Sequence, residues 1–312
     1  MKNESFRIAI VGAGAVGCYY GAHLVRAGAE VHFLMRSDLH HVAEHGVVIE
    51  SALHDDFAVA DVLCHANTEE IGEVDLVIIA LKSTQNAVLE TLIPPLLGEH
   101  TCLLTLQNGL GNGEFLAQRF GERRVMGGLC FVCLNRISPG VIKHLGFGLI
   151  MMGELHAIAS DRTRQVADWF SRSGVACEVV DDLMWAAWRK LVWNIPFNGL
   201  AILGGGIDVA EILEDEDLLV LTKQLMREVI RTAGVLGYEL PDTLVEEQVE
   251  KTLKMGPYRP SSMVDFVEGR AVEVEAIWGE PWRRGAEAGA EVGGLEMMYR
   301  LINEKTKSLR ER

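Results

Sequence analysis

The feature that most constrains this chain lies near its start. The apolar run Ile8-Ala9-Ile10-Val11 leads directly into Gly12-Ala13-Gly14-Ala15-Val16-Gly17, a G-x-G-x-x-G spacing. A helical stretch, Val16–Ala27, follows and ends at Gly28; Glu30–Met35 then reads as a second strand. The glycine spacing alone is common. Set between a strand and a helix it is the phosphate-cradling turn of a dinucleotide-binding βαβ unit. In that turn Gly12 permits the tight bend, Gly14 brings backbone close to a pyrophosphate, and Gly17 lets helix and strand pack. Ala13, Ala15 and Val16 supply the intervening backbone, and the helix N-terminus presents N–H groups and a positive dipole end to the phosphates.

The pattern continues. Asp75–Leu81 and Cys102–Leu106 are further short strand-like runs, followed by Val125–Leu134, Val141–Met152 and Val175–Val180, with a turn at Ser138-Pro139-Gly140. Strands alternating with helices imply a mostly parallel sheet. After Asp181-Asp182 the texture changes. Leu183–Leu203, Asp215–Leu236, Pro241–Lys254, Met263–Glu268, Glu273–Ala290 and Leu295–Leu309 all read as helices. A length of 312 residues fits two domains of roughly 150 each. The expected fold is an α/β Rossmann-type dinucleotide-binding domain over residues 1–182, followed by an all-α C-terminal domain over 183–312.

The end of the second strand selects the dinucleotide. NAD enzymes commonly place Asp or Glu there, for the ribose 2′-hydroxyl. Here the strand runs into Arg36-Ser37-Asp38. The guanidinium of Arg36 suits a 2′-phosphate, and Ser37 adds a hydroxyl, so NADP(H) is the expected cofactor. Asp38 is the competing signal, because it reaches a ribose hydroxyl if the register lies two residues later. Two later strand ends also bring polar residues to the carboxyl edge of the sheet, where ligands bind in open α/β folds. Lys82 and Gln85 belong to Leu81-Lys82-Ser83-Thr84-Gln85, which is either an ordinary loop or the phosphate side of the site. Asn108 belongs to Gln107-Asn108-Gly109-Leu110-Gly111-Asn112, which is either an ordinary loop or the strand end that approaches the nicotinamide.

In the helical half, Lys190, Asn194 and Asn198 recur at i, i+4 and i+8 within an otherwise apolar helix. That spacing stacks them on one face. Buried polar groups need partners, so the row is either an internal hydrogen-bond network or a ligand site. Hydride reduction of a ketone leaves charge on the carbonyl oxygen; an ammonium stabilises that charge and delivers the proton. Lys190 is thus the candidate acid, and Asn194 and Asn198 candidate substrate-binding amides. Pro196, which has no N–H, is expected to bend this helix. Ser262 and Asp265 have capping-box spacing, which would offer a hydroxyl and N–H groups to a carboxylate. Downstream, Glu273 and Glu275 open another helix.

Composition excludes several classes. The chain carries 44 acids against 29 bases, a net charge of −15, and no basic run longer than a pair such as Arg283-Arg284. That argues against nucleic acid and anionic lipid as partners. No stretch reaches the roughly 18 uninterrupted apolar residues of a membrane span, and Met1–Arg7 lacks the shape of a signal peptide. Six cysteines lie mostly in apolar surroundings, which fits reduced thiols and a cytoplasmic location. Cys130 and Cys133 form one C-x-x-C without a second pair at zinc spacing, so buried thiols rather than a metal are expected.

Taken together, these segments resemble the ketopantoate reductases (2-dehydropantoate 2-reductases). The matching pieces are GAGAVG at 12–17, LKSTQ at 81–85, QNGLGN at 107–112, PGVIKHLGFG at 139–148, WRKLVWNIPFN at 188–198, SSM at 261–263 and EVEAIWG at 273–279. The Trp-Arg-Lys-Leu segment with its two asparagines is the specific one. The resemblance implies a Rossmann domain and a helical domain of the 6-phosphogluconate dehydrogenase C-terminal type, with the active site between them. It implies NADPH as donor and a 2-oxo acid as substrate, in pantothenate and coenzyme A biosynthesis. By position, Lys190 would be the general acid. Asn194, Asn198 and Ser262 would bind substrate, Asn108 would touch nicotinamide and substrate, and Glu273 would anchor hydroxyls. Arg36 and Lys82 would face the 2′-phosphate. The sequence departs from the family pattern near Asp208-Val209 and at Trp278-Gly279, where Asn-Gly is usual, with Glu280-Pro281 following.

The expected activity is NADPH-dependent reduction of 2-dehydropantoate to pantoate. The alternatives are another 2-oxo acid, an opine- or β-hydroxyacid-type dehydrogenase, or a non-catalytic NADP(H)-binding regulator. The apolar richness of the helical half leaves a homodimer open.

Overall fold

A computed structural model describes residues 6–310. They form two compact units. The first takes the chain up to Gln107 together with Asn112–Leu183; the second takes Asn108–Gly111 together with the chain from Met184 onward.

In the first unit the strands and helices run β1 (Arg7–Val11), α1 (Ala15–Arg26), β2 (Glu30–Leu34), α2 (Leu39–His45), β3 (Val47–Ser51), β4 (Phe57–Val59), β5 (Leu63–His65), β6 (Val74–Ile79), α3 (Leu89–Leu92), β7 (Leu97–Thr105), α4 (Asn112–Phe120), β8 (Val125–Ser138), β9 (Val141–Glu154), α5 (Asp161–Arg172) and β10 (Cys177–Val179). They build one sheet in the order β4-β3-β9-β8-β7-β6-β1-β2-β5, with β10 beside β9. Most pairings are parallel. The exceptions are the 14-residue strands β8 and β9, which form an antiparallel hairpin, and β3 with β4.

The central strands read as unbroken apolar runs because both faces are covered. Successive residues of β1 enter opposite cores: Ile8 and Ile10 join one cluster with Leu76, Ile78 and Leu104, whereas Ala9 and Val11 join the other with Val77, Ile79 and Leu103. β1 pairs with β2 on one side and β6 on the other. Strand order therefore reverses at β1, and the turn after it lies at the carboxyl-edge crevice where doubly wound sheets bind ligands.

The second unit is helical: α6 (from Leu183 to Leu203), α7 (Val209–Glu214), α8 (Glu216–Val235), α9 (Leu244–Leu253), α10 (Ser261–Val267), a π turn over Glu275–Gly279, α11 (Glu280–Glu287) and α12 (Gly293–Lys305). Helix α6 is buried on nearly every side, as its composition demands. It passes Pro196 without a break in helix. Gly199 makes close packing feasible, since a Cβ there would meet the Met298 side chain on α12 at 2.2 Å.

Two expectations change here, and one unassigned residue gains a role. The segment Glu273–Ala290 is not one α-helix; it opens with the π turn. Ser262 and Asp265 form no capping box: α10 starts at Ser261 after Pro260, no side chain of its own caps it, and Asp265 pairs with Arg270 at 2.9 Å. Asp208, at one departure from the family pattern, is the N-cap of α7. Its carboxylate accepts from Ala210 and Glu211, and Glu211 accepts in return from the Asp208 N–H.

Candidate active site

The predicted dinucleotide residues gather in the first unit. The turn from β1 to α1 requires its glycines. Gly12 has φ +106°, and a Cβ there would stand 2.4 Å from the Leu81 backbone nitrogen. A Cβ at Gly17 would meet the Gly12 carbonyl oxygen at 2.2 Å, whereas Gly14 faces open space within 4 Å. Gly14 is also the N-cap of α1, with no side-chain cap. The first turn of α1, Ala15 to Val16 onward, therefore keeps its backbone donors for a ligand. These features fit a bound pyrophosphate.

Beyond β2, Arg36 is exposed and donates to the Gln85 side chain at 3.3 Å. Gln85 shares a turn with Lys82, its N–H donating to the Lys82 carbonyl at 2.9 Å. The structure thus brings Arg36, Lys82 and Gln85 to one place. Asp38 is buried instead: Ser37 donates to one carboxylate oxygen at 2.7 Å and Arg136 to the other at 2.9 Å. A polar network not singled out from sequence supports the Lys82 turn. Gln107 donates to the Leu81 carbonyl (3.0 Å) and to Asn86 (2.7 Å), and Asn86 donates to Asn112 (3.0 Å). The amides flanking both strand ends were its signal.

The predicted catalytic residues gather in the second unit. The Lys190 ammonium donates to the Asn108 amide oxygen at 2.8 Å, although 82 residues separate them in sequence. Asn194, one turn further along α6, is 8% exposed, and its side-chain amide bonds no described residue. Asn198 is tied internally. Its amide donates to the Asn194 carbonyl, and its oxygen accepts from the Ser262 backbone N–H, both at 3.0 Å. Asn198 therefore caps α10 from α6, the task expected of Ser262 and Asp265. Glu273 is buried; Glu275 is exposed and pairs with Arg283 and Tyr299. Of the two acids, Glu273 is the inward one.

Each unit by itself carries groups suited to a carbonyl reductase: the first a glycine turn fit for phosphates, the second an ammonium bonded to an amide with a buried amide one turn away. Comparison with known proteins bears on that reading. Residues 8–157 match the family model described as ketopantoate reductase PanE/ApbA, and residues 182–306 match its C-terminal model. The chain belongs to the ketopantoate reductase family. A 2-dehydropantoate 2-reductase of Nostoc sp. is 39% identical over 94% of this chain and 93% of that protein. The crystal structure of 2-dehydropantoate 2-reductase from Geobacter metallireducens covers 96% of this chain and 99% of its own, with 44% identity and a TM-score of 0.93. A D-mandelate dehydrogenase solved with NADH and anilino(oxo)acetate shares the fold, at 24% identity and a TM-score of 0.86. Ketopantoate reductases are dinucleotide-dependent oxidoreductases, and this chain has their two-part fold, a parallel-rich sheet followed by helices. Among the described residues no group of His, Cys, Asp or Glu is arranged to hold a metal ion, and no helix is long and apolar enough to cross a membrane. Cys130 and Cys133 are buried and form no disulfide.

Proposed function

We propose that this ketopantoate reductase reduces 2-dehydropantoate to pantoate with NADPH, serving pantothenate and coenzyme A biosynthesis in the cytoplasm, where its six cysteines, none of them in a disulfide, stay reduced. The observation that carries the proposal is the part-buried Lys190–Asn108 hydrogen bond, beside the buried amides of Asn194 and Asn198. Residues 1–182 hold the dinucleotide. Gly12, Ala13, Gly14, Ala15, Val16 and Gly17 take the pyrophosphate on backbone N–H groups. Arg36, with Lys82 and Gln85 beside it, takes the 2′-phosphate. Asp38, engaged by Arg136, does not compete for a ribose hydroxyl, which favours NADPH over NADH.

Residues 183–312, joined by Asn108, hold the small 2-oxo acid. The cofactor's chemistry is hydride donation to the substrate carbonyl carbon. Asn108 orients the Lys190 ammonium; Lys190 hydrogen-bonds the carbonyl oxygen, stabilises the negative charge that develops there and gives up a proton to it. Asn194 binds a substrate hydroxyl or carboxylate through its amide. Asn198 and Ser262 form the wall behind it, and Glu273 accepts from a hydroxyl. A homodimer through the helical unit belongs to the same proposal. Met297 and Leu301, one turn apart on α12, are exposed there, and light scattering at working concentration reads it.

The test is turnover by purified protein of 2-dehydropantoate and a panel of other 2-oxo acids, each with NADPH and NADH. Fast turnover of 2-dehydropantoate with NADPH supports the proposal. Turnover of a different oxo acid alone would keep the chemistry and move the substrate.

A further inference from the structure

Two departures from the family pattern bear on the π turn: Trp278 lies within it and Pro281 follows it, in the first turn of α11. Glu280 donates its backbone N–H to the Glu275 carbonyl, closing the wide turn. By the same spacing the next carbonyl, that of Ala276, would take the N–H of residue 281. That residue is proline and has none. The Ala276 carbonyl instead accepts the Leu110 backbone N–H at 2.8 Å. The contact is tight. A Cβ on Gly109, at φ +84°, would lie 2.2 Å from the Ala276 oxygen, so the loop carrying Asn108 is pressed onto the turn. On the other side Trp278, fully buried, donates its indole N–H to the Ile195 carbonyl of α6 at 3.0 Å. Ile195 lies between Lys190 and Asn198. The turn thus grips both elements whose side chains meet in the Lys190–Asn108 hydrogen bond.

We propose that the π turn Glu275–Gly279, through Trp278 and Pro281, is a positioning device that sets Asn108 against Lys190. Trp278 and Pro281 act through Lys190 and Asn108, as positioning residues. Trp278 fixes the helix, and Pro281 leaves one carbonyl available to fix the loop. The proposal rests on the reductase reading for its effect on turnover, but not for its effect on Lys190.

The experiment uses two mild variants of the full chain. Trp278→Phe keeps an aromatic ring and deletes the donor. Pro281→Ala returns an N–H that competes for the Ala276 carbonyl. Each should lower kcat for 2-dehydropantoate about tenfold, since small displacements of positioned groups are costly in rate. The NADPH Kd should stay near that of the parent, and the melting temperature should fall by a few degrees in Trp278→Phe, which opens a cavity and deletes a buried hydrogen bond. Labelling of Lys190 by trinitrobenzenesulfonate, read by peptide mass spectrometry, should rise severalfold, because an amine released from its partner is more reactive. Asn108→Ala should raise labelling equally, and Trp278→Phe should add nothing on that background. Unchanged labelling and kcat in both variants would overturn the proposal. So would a fall in melting temperature with kcat intact, the mark of a purely structural tryptophan. If the parent protein does not reduce 2-dehydropantoate while labelling still rises in the variants, the substrate reading fails and the positioning role stands.

Discussion

Lys190, Asn194 and Asn198 share one face of a helix but differ in their hydrogen-bond partners. Their spacing was legible because a polar residue every fourth position in an apolar helix needs an explanation. That difference was not, because it depends on partners distant in sequence: Asn108 for Lys190 and Ser262 for Asn198. The difference predicts opposite phenotypes. Asn194→Ala should raise the KM for the oxo acid about tenfold and leave urea stability within about 0.5 kcal/mol, since it removes no protein hydrogen bond. Asn198→Ala should cost about 2 kcal/mol in the same denaturation, because it strands a buried backbone N–H at Ser262. Arg36→Ala should raise the KM for NADPH about tenfold, from loss of a charge-assisted contact to the 2′-phosphate, and leave that for NADH unchanged. An equal effect on both dinucleotides would remove Arg36 from cofactor choice.

Elements with a strong period were readable; elements held by a few contacts were not. β1, with Ile8–Val11 buried on both faces, and α6, apolar over nearly its whole circumference, announce themselves. Helix α5 does not, because only Thr163, Val166, Ala167 and Phe170 are buried on an otherwise polar sequence. Its signal was local: Ser160 and Thr163 form a capping box, and both hydroxyls also donate to Glu154. Ser160→Ala should therefore cost about 1 kcal/mol in chemical denaturation. The antiparallel hairpin of β8 and β9 was visible as two strands and a Pro-Gly turn, but its place in the middle of the sheet is set by pairing with β7 and β3, which no local pattern encodes. The π turn was invisible for the same reason. Glu273–Ala290 has a helical period, and what marks its start as different, the contacts of Ala276 with Leu110 and of Trp278 with Ile195, comes from residues distant in sequence.

At the scale of the whole molecule, acid stability follows from buried histidine. His23 on α1 packs against Tyr19, His54 and Phe57 and shares one ring nitrogen with the Ser173 carbonyl. Burial pushes its pKa down to about 4; the Ser173 carbonyl opposes this, and His54, Arg26 and His144 add to it. Unfolded, it titrates near 6.5. Between those values the unfolded chain takes up a proton that the folded chain refuses. Stability is therefore flat above pH 6.5 on this account and falls as pH drops toward 4, by about 3 kcal/mol for His23 in full. His32 and His144 are shifted down by burial as well and act with the same sign. Denaturation across this window should show the slope, and His23→Asn should flatten it.

The central claim concerns one proton and one hydride, and single-turnover kinetics reads both. NADPH-loaded protein is mixed with 2-dehydropantoate in a stopped-flow instrument, alongside Lys190→Ala carrying the same bound NADPH. The parent should oxidise one NADPH per chain in a rapid phase. The variant should be slower by at least about a hundredfold, the usual contribution of a positioned general acid. A parent that leaves NADPH unoxidised, or a variant as fast as the parent, would contradict the account.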